Sequence, residues 1–482
     1  MRTFWIIVGV SLLATIRIVL PAEAHAFYVD AASGDDGRDG LKPETAWRSL
    51  AKVNRAPLAP GDRVLFRRGQ WWRGQLVPQS GDASGTNLYG AFGEGNKPVL
   101  LGSVAADRTE DWQPAGEGIW ATLPLRFEAV GVQAIPQSVD VGNIIFDHGK
   151  STGVKKWSEA DLRQNGDYYY DARSWQVKLR ADGNPATRHQ SIELALRKHI
   201  IDQSERGYVT YENLDLRYGA AHGIGGGGTH HITVRGCDIS YIGGGHQMTR
   251  PDGKPVRFGN GIEFWSGARD CVVEDCRIWE IYDAALTNQG DGTNVQENIT
   301  YRRNVIWNSE YSFEYWNRGP ASRTRDIVFE HNTCVDAGQG WGHRQRPDPN
   351  GCHLMFYDNS AATTNVIIRF NIFCGATDSL LRLHGRDWTA SLAMDYNCWF
   401  QPRGPWLLWG QQTVGANDFA AFMRPRNLDL HSLLAKPKFI GAARHDYRLA
   451  PESPARAMAG PGKPAGALPV EGRLGQAPNL GL

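Results

Sequence analysis

The sequence carries almost no net charge, few sulfur-containing side chains and, beyond its N-terminus, no long apolar run. Its 482 residues include 52 lysines and arginines and 51 aspartates and glutamates, which gives a net charge of +1. This balance argues against nucleic-acid binding and against a polybasic membrane contact, because both need a basic surface. The seven cysteines form no CxxC pair and no Cys/His spacing typical of zinc. Since their number is odd, at least one thiol is unpaired, and we expect buried thiols instead of a disulfide framework.

The apolar run at the N-terminus is typical of a secretory signal. It extends from Phe4 to Ile16, and Ala22-Glu23-Ala24 follows with small residues suited to cleavage. The run is too short to span a membrane. We therefore predict a signal peptide over residues 1–24 and a protein that is secreted, periplasmic or on the cell surface, with no membrane span after cleavage.

Seven segments repeat one short phrase of alternating apolar residues. One position of the phrase is occupied in turn by Leu214, Cys237, Cys276, Asn304, Asn332, Asn371 and Asn397. The steps between these positions are 23, 39, 28, 28, 39 and 26 residues. Short β-branched strands with a period in the twenties are typical of a solenoid, whose coils bury a shared core only by stacking. The repeat predicts an all-β parallel β-helix, with the asparagines stacked at one corner as a structural ladder.

The rest of the chain is expected to complete this solenoid. An amphipathic helix opening at Thr45 would cap the N-terminal end, where strand edges are otherwise exposed. Residues 25–106 would form this cap and the first coils, and residues 107–200 an inserted β subdomain or decorated early coils. Residues 201–400 would form the β-helix core with its cleft. Residues 401–482 would form a last coil and a tail rich in proline, glycine and alanine.

Several segments together resemble a known group of proteins. They are FYVDAASGDDGRDGLKPETAWRSLAKVN, PGDRVLFRRG, the degenerate coils, KPKFIGA and DYRLAPESPA. These segments look like secreted right-handed parallel β-helix proteins of the pectate-lyase-like superfamily, and the resemblance covers nearly the whole mature chain. It implies the fold but no single activity, because the superfamily includes polysaccharide lyases, glycoside hydrolases, epimerases and non-catalytic surface proteins.

Two steps of the repeat are longer than the others and predict a substrate cleft. Their extra residues begin at Gly244 and at Gly338, six or seven residues after the ladder position in both cases. Because both loops begin at nearly the same point of the repeat, we predict that they leave the same corner of the β-helix. They would form two walls, with a lower floor on the coils between them. Loops on a rigid scaffold are where binding and catalysis concentrate.

The predicted floor and walls carry the candidate functional residues. Strand alternation places Glu263 and Glu314 outward, and a bound sugar chain would raise the pKa of Glu314 by excluding water. The candidate catalytic residues are Glu314, Asp283, Glu263, Arg318, His343, His353 and Tyr357. The candidate substrate-binding residues are Trp265, Asn288, Trp316, Asn317, Trp341, Arg344, Arg346, Arg382 and His384. No cofactor is implied except Ca²⁺, for which Asp283 and Glu314 could supply oxygen ligands.

Three functions fit these residues. A lyase acting by β-elimination on a uronate-containing polysaccharide needs arginine or a metal to neutralise the substrate carboxylate, and the many arginines slightly favour it. A glycoside hydrolase needs paired carboxylates, for which Glu263, Asp283 and Glu314 are candidates. A polysaccharide-binding or surface scaffold protein would keep the aromatic residues without an acid–base pair. In each case we expect a monomer whose partner is a polysaccharide.

Two absences narrow the choice of enzyme. The sequence lacks the Asn-Thr-Asp, Gly-His-Gly and Arg-Ile-Lys signatures of polygalacturonases. Lys254 is the single lysine between Lys198 and Lys436, and it lies in a loop. A lyase mechanism based on lysine is therefore disfavoured.

Overall fold

The computed structural model describes residues 24–126, 139–357, 362–385, 387–459 and 465–467. The predicted signal peptide lies outside the described residues, except for Ala24. Within the described ranges, no helix combines the length and the apolar character needed to cross a membrane.

Three long sheets run along the molecule, and successive coils contribute their strands. Sheet 1 consists of Ala26–Val29, Arg63–Arg67, Asn87–Phe92, Gly207–Glu212, His230–Arg235, Arg269–Glu274, Val295–Arg302, Arg323–Glu330, Ala362–Arg369 and Leu392–Asp395. Sheet 2 consists of Trp71–Arg73, Val99–Leu101, Asp215–Arg217, Asp238–Ile242, Arg277–Ile281, Val305–Trp307, Thr333–Ala337, Ile372–Ala376, Cys398–Phe400 and Leu433–Leu434. Sheet 3 consists of Ile201–Asp202, Ile224–Gly225, Ile262–Phe264, Ala284–Gly290, Tyr311–Asn317, Cys352–Phe356, Ser379–Leu383, Leu407–Trp409 and Gln412–Val414. Only the last of these strands pairs antiparallel with its neighbour.

Each central coil passes through the three sheets in order. The coil that begins at Val295 continues through Val305–Trp307 and Tyr311–Asn317, and the next coil begins at Arg323. Inward side chains from all three sheets, such as Ile306 and Phe313, are buried in one core. Burial of one such side chain contributes roughly 1.5–3 kcal/mol, which accumulates only when coils stack. The predicted parallel β-helix is confirmed.

The asparagine ladder stands at the corner between sheets 1 and 2. Asn332 Oδ1 accepts hydrogen bonds from the backbone N–H and the Nδ2 amide of Asn304, each at 3.0 Å. Asn371 accepts the same pair from Asn332, and Asn397 accepts it from Asn371. Since each amide satisfies buried backbone groups of the neighbouring coil, the ladder is structural, as the sequence predicted.

All seven cysteines are free thiols, six of them buried. Cys237 and Cys276 lie in the core at the ladder position, where their sulfurs pack among apolar side chains. The expectation of buried thiols is confirmed at these positions.

The N-terminal helix begins later than the sequence suggested. Pro43–Thr45 forms a 3₁₀ turn, and the α-helix spans Leu50–Arg55. Ser49 is its N-cap, with the hydroxyl accepting a hydrogen bond from the backbone N–H of Lys52. Trp47, which would lie inside a helix opening at Thr45, instead forms a parallel bridge with Val29. A capping role for the helix stays a prediction.

Further strands occur between the early coils and form two smaller sheets, here called the side sheets. The first contains Ser103–Ala105, Val141–Phe146, Ser151–Thr152 and Ile192–Leu196. The second contains Trp112–Gly116, Ile119–Thr122, Val154–Lys155, Asp167–Asp171 and Gln176–Arg180. Their apolar side chains, including Ile144, Tyr168 and Leu194, form a cluster of their own.

In the described ranges, the remaining elements are two hairpins, a short helix and single turns. The hairpins are Gly245–Thr249 with Pro255–Phe258, and Phe439–Gly441 with Asp446–Leu449. The short helix spans Phe419–Met423. The 3₁₀ turns after the first are Thr109–Asp111, Asp147–Gly149, Glu159–Asp161, Pro185–Thr187, His343–Gln345, Thr389–Ser391, Arg424–Arg426, Ala442–Arg444 and Pro454–Ala457. The C-terminal hairpin packs Tyr447 against Trp307 on the outer face of sheet 2.

Candidate active site

A cleft of about 740 Å³ lies on the outer face of sheet 3. Its floor, here defined as Glu263, Gln289, Glu314, Trp316 and Tyr357, comes from four successive coils. Its side is built by the hairpin that contains Arg257 and by the loop of residues 338–351. Both segments leave the corner between sheets 2 and 3, as their equal phase predicted.

Strand register aligns the carboxylates of the floor. Glu263 pairs with Thr287, and Thr287 pairs with Glu314. The two glutamates therefore occupy one column of sheet 3, two rungs apart, with roughly 9.6 Å between their Cα atoms. Thr287 places a small hydroxyl between them instead of a third carboxylate.

Glu263 is buried and is held by a histidine of fixed tautomer. His222 Nδ1 accepts the backbone N–H of Asn260 at 2.9 Å. Neutral His222 therefore carries its proton on Nε2, which lies 3.1 Å from Glu263 Oε2 and donates to it. Burial lowers the pKa of His222 well below its ordinary value. Burial also raises the pKa of Glu263 to about 8, so both groups are neutral near neutral pH.

Glu314 is equally buried but has different neighbours. Its Oε2 accepts hydrogen bonds from the Gln289 side-chain amide and, at 3.3 Å, from Thr287 Oγ1. Burial raises the pKa of Glu314 well above its usual range, and the nearby Asp283 charge adds to this effect. The carboxylate face predicted on these strands is thus present, but it is shielded from solvent.

Asp283 differs from both glutamates because it has an arginine partner. Arg346 Nη1 lies 3.3 Å from Asp283 Oδ1, and the same nitrogen donates to the Tyr282 carbonyl oxygen at 2.8 Å. Burial raises the pKa of Asp283, and the charge of Arg346 opposes that rise. Glu310, next to Arg346, accepts hydrogen bonds from His343 Nδ1 and from the Asn350 backbone N–H. Asp283 is therefore the cleft carboxylate whose ionised form has a direct counterion.

Aromatic side chains cover the far end of the floor. The rings of Trp265 and Trp316 meet edge to face, with 5.5 Å between centroids. The Arg318 guanidinium lies over the Trp316 ring at 4.7 Å. All three line the cleft. Indole faces of this kind suit the apolar faces of sugar rings, and the guanidinium suits carboxylates or hydroxyls.

The two predicted walls are in fact one. Arg257 Nη1 donates to Gln345 Oε1 at 3.0 Å, which joins the hairpin to the loop. Gln345 Nε2 donates to the Gly153 carbonyl oxygen at 2.8 Å, which joins the loop to the side sheets. The loop folds back towards the earlier coils of the β-helix, because Trp341 donates its indole N–H to the carbonyl oxygen of Glu280 in one of them. The prediction of two separate walls was wrong. The position of a loop within the repeat determines the corner at which it leaves the β-helix, but not the direction in which it then folds.

Two predicted binding residues point away from the cleft. Asn288 is fully buried, and its Oδ1 accepts the Tyr301 hydroxyl at 2.7 Å. Asn288 pairs with Tyr315 in the inward column, so its prediction as a substrate-binding residue was wrong. Asn317 is also fully buried, and its amide donates to Thr324 Oγ1 at 2.7 Å.

The prediction of a catalytic role for His353 was also wrong. Its ring is buried, with Nδ1 2.9 Å from Ser312 Oγ, and it packs beside Phe373 in the core. Leu354, the next residue, also lies in the main core, so two consecutive side chains of this strand are buried in the interior.

Five more candidates lie near the cleft but outside its lining: Trp341, Arg344, Arg382, His384 and His343. Trp341 and His343 hold the loop in place through Glu280 and Glu310. Arg382 pairs with Asp378 at 2.6 Å, and Arg344 is exposed. His384 stacks on Tyr357 with 5.3 Å between centroids, so it supports a floor residue from behind.

Several cleft residues escaped the sequence reasoning. They are His222, Asn260, Gln289, Tyr311 and Gln345. Gln289 lies two residues after Thr287 and could have been found from register alone. His222 belongs to the coil before the predicted floor, and no local pattern marks it.

The expected calcium site does not fit the structure. Across the described ranges, no group of three or more His, Cys, Asp or Glu side chains is arranged to hold a metal ion. Asp283 faces Arg346, and Glu314 faces the Gln289 amide. These neighbours leave no shell of roughly six to eight oxygen ligands of the kind that Ca²⁺ takes.

The topology and the cleft define a parallel β-helix protein with a carboxylate-bearing groove on one sheet. No family model matches the sequence. A segment of 46 residues, 10% of the chain, is 39% identical to alpha-1,3-galactosidase A of Akkermansia muciniphila. A segment of 81 residues, 15% of the chain, is 35% identical to lacto-N-biosidase of Bifidobacterium longum subsp. longum. The matches span 8% and 5% of the lengths of these two relatives.

Solved structures with a similar course of the chain share little sequence. One described as a glycoside hydrolase matches with a TM-score of 0.49 and 10% identity, covering 84% of this chain and 99% of its own. XylC in complex with xylose matches with a TM-score of 0.43 and 11% identity, covering 80% and 86%.

Proposed function

We propose that the protein is an extracytoplasmic glycoside hydrolase that cleaves a polysaccharide in the sheet 3 cleft. The observation that carries the proposal is a set of three cleft carboxyls, two of them buried and the third, Asp283, partly buried and paired with an arginine. Glycoside hydrolysis needs one carboxyl that holds a proton and one that is ionised. The different surroundings of Glu263 and Asp283 separate those two roles. The predicted signal peptide agrees with a substrate outside the cell.

Glu263 is proposed as the proton donor. A pKa of about 8 keeps it protonated near neutral pH while leaving it able to release the proton. Oε2 accepts from His222 at 3.1 Å, and Oε1 accepts from the Asn260 amide at the longer distance of 3.5 Å. We assign the transferable proton to Oε1, because its hydrogen bond is the weaker of the two.

Asp283 is proposed as the base or nucleophile. Arg346 stabilises its negative charge, and that charge raises the pKa of both Glu263 and Glu314. Glu314 then contacts the substrate as a second protonated carboxyl beside Gln289. Trp265 and Trp316 supply stacking surfaces for sugar units on the floor.

The two curated relatives that share short segments with this chain carry the names of glycosidases, which supports the proposal. The cleft lining carries both cationic and carboxyl side chains, namely Arg250, Lys254, Arg257, Arg318 and Arg346 with Glu263, Asp283, Glu314 and Asp348. The test substrates therefore include neutral as well as acidic polysaccharides.

The proposal is tested by incubating the protein with a panel of neutral and acidic polysaccharides and measuring new reducing ends. Glu263→Gln and Asp283→Asn should each lower kcat by about 10²–10⁴-fold, the usual contribution of a positioned acid or base. Glu314→Gln should also reduce turnover strongly while leaving polymer binding intact. Glu297→Gln, on the outer face of sheet 1, is the matched control. Wild-type turnover in both Glu263→Gln and Asp283→Asn would refute the proposed roles.

A second candidate is the lyase favoured by the sequence. Its support is Tyr357, a phenol beside Glu314, together with Arg318 at the cleft rim. A lyase would produce an unsaturated uronate that absorbs in the ultraviolet, and a hydrolase would give reducing ends without that absorbance. Polymer binding with neither signal would indicate a binding or scaffold protein.

A further inference from the structure

A second pocket of about 340 Å³ adjoins the cleft on the side of the side sheets. The two cavities share Trp157 and Pro255 as lining residues. The second pocket is also lined by Arg197, by His246 and by Lys156, whose ammonium lies 3.2 Å from Asp167 and keeps further N–H donors. Trp157 therefore stands where the cleft and the second pocket meet.

Trp157 is unusually exposed for its size, with 42% of its surface accessible. Its position is nonetheless fixed. The His246 ring meets it edge on, with 5.3 Å between centroids, and the Lys155 ammonium lies 5.3 Å from its ring centre. Lys155 is itself anchored by Asp140 at 2.5 Å and is almost fully buried. The indole is therefore held in place before any ligand arrives, which lowers the entropic cost of stacking.

We propose that Trp157 is the stacking platform of an extended subsite, which binds a sugar unit of the same polymer several units away from the bond that is cleaved. The sugar ring lies on the indole, and its oxygens reach the donors of the second pocket. This inference rests on the proposed function, since it assigns the cleft's substrate as a polymer instead of a short glycoside. It gives the side sheets a role in binding the polysaccharide.

The test compares Trp157→Ala with Trp71→Ala. Trp71 is a matched control because it is 40% exposed and lies beside an arginine, Arg73, at 5.2 Å, but outside both cavities. Trp157→Ala should lower kcat/KM on the polymer by about tenfold, as expected for loss of a stacking anchor. It should leave kcat/KM on the shortest cleaved oligosaccharide unchanged. Trp157→Phe should retain most of the polymer activity.

A second readout separates this inference from the proposed function. Affinity electrophoresis in gels that contain each polysaccharide measures binding without turnover. A polymer that retards the wild type and Trp71→Ala but not Trp157→Ala supports the subsite even when nothing is cleaved. Equal retardation of Trp157→Ala and Trp71→Ala, or equal losses on polymer and short substrate, would overturn it. Matching melting temperatures of the two alanine variants exclude misfolding.

Discussion

Replacing Glu263 by glutamine should stabilise the protein at alkaline pH while removing its activity. The substitution keeps the shape of the side chain and its acceptor for His222 Nε2. The substitution also removes the negative charge that Glu263 acquires when its carboxyl group loses a proton. A gain in stability with a loss of function is expected where a buried carboxyl is kept for chemistry and not for folding.

The magnitude follows from the pKa of the buried group. In the unfolded chain Glu263 loses its proton near its ordinary value of 4.5, but in the folded protein it does so at about 8. Between these values the native state holds one more proton, so its stability falls as pH rises through this window and levels off above it. One pH unit corresponds to about 1.4 kcal/mol per proton, so the free energy of unfolding should fall by about 5 kcal/mol over the whole window.

Thermal unfolding of wild type and Glu263→Gln, measured between about pH 4 and pH 9, checks this reasoning. The two melting temperatures should agree at the acidic end and diverge as pH rises, with the variant higher. Glu94→Gln, which changes an exposed carboxylate in the early coils, should show no such divergence. A constant difference between wild type and Glu263→Gln across the whole range would show that Glu263 titrates normally and would refute the argument.

Two further predictions address the ladder and the proton donor. Asn332→Ala should lower the free energy of unfolding by about 3–5 kcal/mol, because it leaves the backbone N–H and the amide of Asn304 unpaired in the core. Asn165→Ala, which removes one exposed amide at a position without left-handed backbone, should cost less than about 1 kcal/mol in the same denaturant titration. His222→Leu should move the alkaline limb of kcat/KM to higher pH, because Glu263 loses a donor that favours its ionised form. A lower rate with an unmoved limb would assign His222 a purely structural role.

The repeated coils could be predicted because their signal is local and recurs. Each strand carries its own alternation, and the amides of Asn304, Asn332 and Asn371 mark the same corner in successive coils. Hydrogen bonding between neighbouring amides then fixes the register that the sequence suggested. A strand whose pattern is ambiguous in one coil can be assigned from the equivalent strand of the next coil.

The candidate site was only partly predictable, because it depends on contacts distant in sequence. Glu263 and Glu314 were placed correctly by alternation, whereas His353 lies buried beside Phe373 instead of at the cleft. Gln345 contacts Gly153, 192 residues earlier in the chain, and no periodic pattern encodes that contact. The position of the wall, and of the residues that it holds, could therefore be determined only from the structure.

The spacing of the carboxyls in sheet 3 follows from the repeat that builds the sheet. Carboxylates on adjacent rungs would lie about 4.8 Å apart and would repel by about 3.5 kcal/mol at an effective dielectric constant near 20. Two rungs apart, as Glu263 and Glu314 are, the repulsion between two ionised carboxylates would be about half that value. Thr287 keeps this gap and donates a hydrogen bond to Glu314. The acid of the intervening coil, Asp283, precedes the strand that carries Thr287 and is paired with Arg346. The scaffold therefore holds three acids at one cleft by placing a neutral side chain between two of them and a counterion beside the third.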